Sequence, residues 1–137
     1  MNFSAPFPLA ASELTPGLLR RVAPRILLVE DDDRQRALLQ QLLEDQGYDV
    51  EAVGSASVAI AHMRSTFELM ITDVDLGSRI TGIDLARLVR SAQPALPVLI
   101  LSAREPELAE GQAITFLRKP CTSGTILAKV NALVTDQ

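Results

Sequence analysis

Four apolar runs in this chain end in polar residues capable of chemistry. Ile26-Leu27-Leu28-Val29 is followed by Glu30-Asp31, and Leu69-Met70-Ile71 by Thr72-Asp73-Val74-Asp75. Val98-Leu99-Ile100-Leu101 ends in Ser102, and the stretch Ile114 to Leu117 ends in Arg118-Lys119-Pro120. Brought together, these residues would offer several carboxylates, one hydroxyl and one lysine. Clustered carboxylates repel one another and raise each other's pKa. A hard divalent cation relieves that repulsion, and Mg²⁺ suits one or two carboxylates plus waters and a phosphoryl oxygen. A carboxylate can also attack phosphorus to give an acyl phosphate. The negative charge on the transferred group would be stabilised by the cation, a lysine and a hydroxyl donor. Asp73 is the natural nucleophile, because its strand ends deepest among the acids.

The elements needed to gather these residues are legible in the apolar pattern. Leu38, Leu39, Leu42 and Leu43 recur at helical spacing, with Gly47 where a helix C-cap would fall. Tyr48 to Val53 reads as a strand, and Ser55 as the cap of a helix carrying Val58, Ile60, Ala61 and Met63. Leu85, Ala86, Leu88 and Val89 mark a third helix. Thr122 would cap a final helix with Ile126, Leu127, Val130, Leu133 and Val134 facing inward. Apolar runs without alternation indicate strands buried on both faces, as in a parallel sheet with helices on each side. Right-handed crossovers leave few topologies. The expected fold is α/β, a flavodoxin-like doubly wound sheet of five parallel strands in the order 2-1-3-4-5. In such a sheet the ligand site lies beyond the carboxyl ends of the strands, where each polar group above falls.

Composition narrows the function classes. With 137 residues, 47% hydrophobic and 22% charged, the chain has the length and make-up of one globular domain. Aromatics are 4% with no Trp, so the core must be aliphatic. A net charge of −4 argues against a nucleic-acid partner, which normally needs a basic face. The single cysteine, Cys121, cannot form an internal disulfide, which fits a reducing cytoplasm. No apolar run approaches the roughly 20 residues that span a bilayer, and no secretory signal is evident. Residues 1–24 differ from the rest. They carry Pro6, Pro8, Pro16 and Pro24, and are read as an N-terminal extension, either a mobile arm or a short helix through Leu14, Leu18, Leu19 and Val22. The main domain is expected over 25–137.

From about Arg25 to Val134 the sequence resembles the receiver domains of two-component response regulators. The matching pieces are Leu28-Val29-Glu30-Asp31, Ile71-Thr72-Asp73, Gly82 to Leu85, Leu101-Ser102-Ala103 and Lys119-Pro120. Each alone is weak; their order at successive strand ends is specific. The resemblance implies that Asp73 is the phosphorylated aspartate. It implies that Glu30 and Asp31 hold Mg²⁺, Asp31 directly and Glu30 through water, and that Asp75 lends a backbone carbonyl. Ser102 then bonds the phosphoryl oxygen, Lys119 pairs with the phosphoryl group, and Phe116 is the aromatic switch. The peptide bond before Pro120 is expected to be cis. The implied protein is a phosphoacceptor switch and not a turnover enzyme. Its phosphoryl donor would be a sensor histidine kinase or a histidine phosphotransfer protein. Its output would pass to an unidentified downstream protein in the cytoplasm, with homodimerisation left open.

Three departures stand out. Gly77 occupies a position where proline is usual, and the loop from Asp73 to Gly82 is one residue longer. The interval from Ser102 to Lys119 is several residues shorter, so the helix between the fourth and fifth strands should shrink to one turn or vanish, starting near Glu105-Pro106-Glu107. Asp75 and Arg104 each lie two residues past a site residue, which puts both on the rim. They would form an ion pair there, or Arg104 would shield the phosphoryl group from water. Two rival functions remain. One is a receiver-like interaction module that is never phosphorylated. The other is a phosphohydrolase of the haloacid dehalogenase type, suggested by Asp73-Val74-Asp75. Against the latter, the motif sits on the third predicted strand, whereas those enzymes carry it on the first.

Overall fold

The computed structural model describes residues 23–104 and 114–135. The sequence expectations for the N-terminal extension and for the short helix after Arg104 lie outside the described residues.

Five strands alternate with helices: β1 (Arg25–Val29), α1 (Asp33–Glu44), β2 (Asp49–Val53), α2 (Ala56–Ala61), β3 (Leu69–Asp73), α3 (Gly82–Ala92), β4 (Val98–Ser102), β5 (Ile114–Arg118) and α4 (Ser123–Thr135). All pairings are parallel and the order is β2-β1-β3-β4-β5, the doubly wound arrangement expected from the sequence. β1, β3 and β4 are buried along nearly their whole length. Successive side chains point to opposite faces of a strand, so each apolar run feeds two cores. Leu27, Val29, Met70, Val98 and Ile100 pack against α2 and α3 through Ala56, Ala59, Leu85, Ala86 and Val89. Ile26, Leu28, Leu69, Ile71, Leu99 and Leu101 pack against α1 and α4 through Leu43 and Val130. Each fully buried aliphatic side chain contributes about 1.5–3 kcal/mol relative to exposure, so the central strands dominate stability.

Helix starts are defined by side-chain caps. Asp32 accepts from the Gln35 amide at 2.9 Å and Ser55 from the Val58 amide at 3.2 Å. Thr81 and Asp84 form a reciprocal capping box, and Thr122 accepts from the Thr125 amide at 3.1 Å. Such caps are worth about 1 kcal/mol each. α1 ends at Glu44, and Gly47, with φ +93°, makes the left-handed turn into β2.

The apolar spacing overstated what is buried. Leu38 is 65% exposed and Leu88 50%, and Val58 and Ile60 also face outward. Only part of each helix meets the sheet: Leu43 fills the core from α1, and the small residues Ala56 and Ala59 let α2 approach closely. His62 is half-buried with Nε2 3.8 Å from the Glu51 carboxylate. No described helix is long and apolar enough to cross a membrane.

Candidate functional site

The parallel register sets the geometry of the site. Val29 lies opposite Thr72, and Asp73 opposite Leu101. Glu30 is therefore level with Asp73 at the carboxyl edge of the sheet, and Ser102 is one step beyond Leu101. Lys119 follows the last residue of β5. Its amide donates to the Ser102 carbonyl at 2.7 Å, so the ends of β4 and β5 share a rung. The Lys119–Pro120 peptide is cis.

The central contact is an ion pair. Lys119 Nζ lies 2.7 Å from Asp73 Oδ2, with the aspartate side chain 13% exposed and the lysine 29%. The Asp73 main chain is equally constrained. The buried Thr72 hydroxyl donates to the Asp73 carbonyl at 2.9 Å. The first residue of α3, Gly82, lies so close that a Cβ there would stand 1.9 Å from the same oxygen. The Gly82 amide donates to the Val74 carbonyl at 2.7 Å. Only glycine permits this approach, which explains the residue in chemical terms.

Glu30 is 4% exposed, and its Oε2 accepts from the Asp32 amide at 3.0 Å. Burial pushes its carboxyl up to about 7. The Asp32 amide pulls the other way, the charge of Asp73 and a hydrogen bond with Asp31 raise it further, and the Lys119 ammonium lowers it. The corner thus holds more negative charge than the single lysine compensates. Asp31 is exposed, and the loop after β3 folds against it: at Gly77, φ +67°, a Cβ would sit 2.8 Å from Asp31 Oδ2. That φ also excludes the proline usual at this place. The loop's anchors are Val74 and Leu76, both buried.

The buried Ser102 hydroxyl is engaged within its own loop, donating to the Arg104 carbonyl and accepting from the Arg104 amide at 3.2 Å. Asp75 is exposed, and its amide lies 3.4 Å from Asp73 Oδ1. Arg104 Nη2 is 3.9 Å from Asp75 Oδ1, with both side chains more than three-quarters exposed. Phe116, opposite Ile100 in the sheet, is half-buried against the α2–α3 core. Cys121 lines a groove of about 570 Å³ between α1 and α4, next to Lys119 and Leu101.

One residue at the site was not found by reading the sequence. Arg36 donates from Nη1 to the Glu30 carbonyl at 2.8 Å and from Nη2 to Asp33 Oδ1 at 2.6 Å. The available signal was a second cation near the start of α1, where the helix dipole disfavours positive charge.

For a cation, the oxygen donors available are the carboxylates of Glu30, Asp31 and Asp73 and the main chain near Asp75. Among the described residues, no three acidic, histidine or cysteine side chains stand close enough to cage a metal ion by themselves. A Mg²⁺ site built from one or two carboxylates, a carbonyl and waters needs no such cage. The uncompensated charge at Glu30 fits a hard divalent ion.

The family profile of the response regulator receiver domain matches residues 26–131. The chain belongs to this family. Receivers are phosphoacceptor switches of two-component signalling and not enzymes in the usual sense. Among curated relatives, this receiver is 30% identical over 115 residues to the transcriptional regulatory protein CpxR of Klebsiella pneumoniae, covering 80% of the chain and 49% of CpxR. The chain thus spans about half the length of the curated relatives it matches. Among solved structures, the receiver resembles a response regulator receiver protein from Sinorhizobium medicae, with TM-score 0.75 and 24% identity over 84% of this chain and 97% of that one. It also resembles response regulator TrrA of Thermotoga maritima in complex with Mg²⁺-BeF, with TM-score 0.72 and 23% identity over 80% of this chain and 98% of that one. At these identities the two structures establish the fold of the receiver alone.

Proposed function

We propose that this receiver accepts a phosphoryl group on Asp73 in a Mg²⁺-dependent reaction with a phosphohistidine donor, a sensor histidine kinase or a histidine phosphotransfer protein. The observation that carries the reading is the 2.7 Å contact of Lys119 Nζ with Asp73 Oδ2 at the shared edge of three strands. A carboxylate so held is buried on one side, open on the other, and has its cation already in place. Attack by an Asp73 oxygen on phosphorus forms a P–O bond as the P–N bond to the donor imidazole breaks. The imidazole leaves with the electron pair and takes up a proton. Lys119 then pairs with the phosphoryl oxygens, which replace the carboxylate as its partner.

Asp31 would hold Mg²⁺ directly, Glu30 through water, Asp73 through its carboxylate and Asp75 through its carbonyl. When bound, Mg²⁺ supplies charge stabilisation to the transferring group. The T. maritima relative is a complex with Mg²⁺-BeF, which supports the assignment of the cation. Ser102 would become a hydrogen-bond donor to the phosphoryl group by exchanging its bond to the Arg104 carbonyl for one to the new oxyanion. Such an exchange would release the loop at the end of β4 and turn Phe116 inward. Output then passes to a protein partner, with the cytoplasm as the setting.

Intact mass after incubation with acetyl phosphate tests the reading. One added phosphoryl group is expected for wild type with Mg²⁺, and none with EDTA or in Asp73→Asn. No gain under conditions that label a control receiver, together with no binding of beryllium fluoride, would favour an interaction module that is not phosphorylated.

A further inference from the structure

The turn that carries the acid pair is tied down by a residue outside the pair. Glu30 donates its amide to the Val53 carbonyl at 3.0 Å, which fixes the end of β1 against β2. Its carbonyl has a different partner, Arg36 Nη1 at 2.8 Å. The same guanidinium reaches Asp33 at 2.6 Å and is 24% exposed. It rests against Gly54, the residue after β2, where a Cβ would lie 3.2 Å from Nη1. Arg36 therefore bridges the last residue before Asp31 and the first residue of α1, while Gly54 leaves the space for it. A planar guanidinium with several fixed donors suits this double contact better than a lysine ammonium, whose three donors radiate from one nitrogen.

We propose that Arg36 is a positioning residue for the acid pair: by holding the Glu30 carbonyl and Asp33 together over Gly54, it fixes the turn that presents Asp31 and so sets the affinity of the site for Mg²⁺. The inference rests on the reading of Glu30 and Asp31 as Mg²⁺ ligands. Arg36 touches neither carboxylate of the pair, so its effect passes through the backbone. Residues that orient metal ligands typically alter affinity by 10- to 100-fold when removed.

The test uses the full chain and its variants Arg36→Ala, Arg36→Lys and Gly54→Ala, titrated with MgCl₂ and followed by calorimetry. Amide hydrogen exchange at Asp31 and Asp32 is measured in EDTA, and urea denaturation checks folding. Arg36→Ala should weaken Mg²⁺ binding on the order of tenfold and speed exchange at both amides. Arg36→Lys should recover part of the affinity. Gly54→Ala displaces the guanidinium by a few tenths of an ångström and should weaken binding in the same direction, less strongly. Wild-type affinity in folded Arg36→Ala overturns the inference, as does tighter binding, which would mean that charge repulsion outweighs positioning. If Arg36→Ala does not fold, unchanged Mg²⁺ affinity and exchange in both Arg36→Lys and Gly54→Ala overturn it instead. A wild type that binds no Mg²⁺ overturns the reading of the site itself, an outcome visible before any variant is compared.

Discussion

Replacing Glu30 by glutamine should make the metal-free protein more stable at alkaline pH. Glu30 is 4% exposed and its carboxyl titrates near 7, against 4.5 for a free glutamate. The folded-state pKa lies above the unfolded one. The group therefore disfavours folding progressively as pH rises from about 4.5, where the unfolded chain ionises, through 7, where the folded one does. Below that window both states are protonated and nothing is lost. Above it the full difference between 4.5 and about 7 applies, on the order of 3 kcal/mol as an upper figure. Glutamine has the same shape, and its carbonyl oxygen can still accept from the Asp32 amide. Urea denaturation in EDTA should give Glu30→Gln an advantage of about 2–3 kcal/mol at pH 8 that vanishes near pH 4. An equal difference at both pH values, or a less stable variant at pH 8, would refute the assignment of an uncompensated carboxylate at this corner. Mg²⁺ should narrow the gap at pH 8 by stabilising the wild type.

Gly82→Ala would force a methyl group to within 1.9 Å of the Asp73 carbonyl. A loss of about 3 kcal/mol or more in urea is expected, since backbone must move, and phosphorylation of any folded fraction should slow. Leu43→Ala, which empties a fully buried site on the α1–α4 side, should cost about 2–5 kcal/mol while leaving phosphorylation at Asp73 unchanged at saturating Mg²⁺. Arg104→Ala should alter stability by less than about 1 kcal/mol, because its partner Asp75 is equally exposed. The same variant should shorten the lifetime of the acyl phosphate, followed by intact mass after removal of the donor. A lifetime equal to wild type would discard a protective role for the rim pair.

The sheet was readable because burial on both faces leaves an unmistakable mark. Ile26–Val29, Leu69–Ile71 and Val98–Leu101 contain nothing polar, and a run of that kind has few homes other than a central parallel strand. The acids and the lysine were readable for a related reason: each interrupts such a run at its carboxyl end. The helix faces were less so. A helix that touches the sheet along a narrow stripe buries Leu43 and leaves Leu38 in solvent, and both belong to the same apolar pattern. Ser102 was placed at its strand end correctly, but sequence could not show that its hydroxyl turns to the Arg104 backbone. Arg36 escaped notice because its contact with the site is through the Glu30 carbonyl, and main-chain acceptors leave no trace in residue types.

The close approach of Gly82 to Asp73 bears on how this loop can vary. The Gly82–Val74 hydrogen bond and the glycine contact clamp the two ends of the segment between them. What lies within the clamp is a closed excursion whose neck is fixed by the neighbouring sheet and helix. Lengthening such an excursion costs only a logarithmic increment of entropy. An added residue at the tip around Ser78 to Ile80 would leave the aspartate in register opposite Leu101. Asp73 is thereby seated independently of the loop's length, although Asp75 and Gly77 within the loop still meet Asp73 and Asp31.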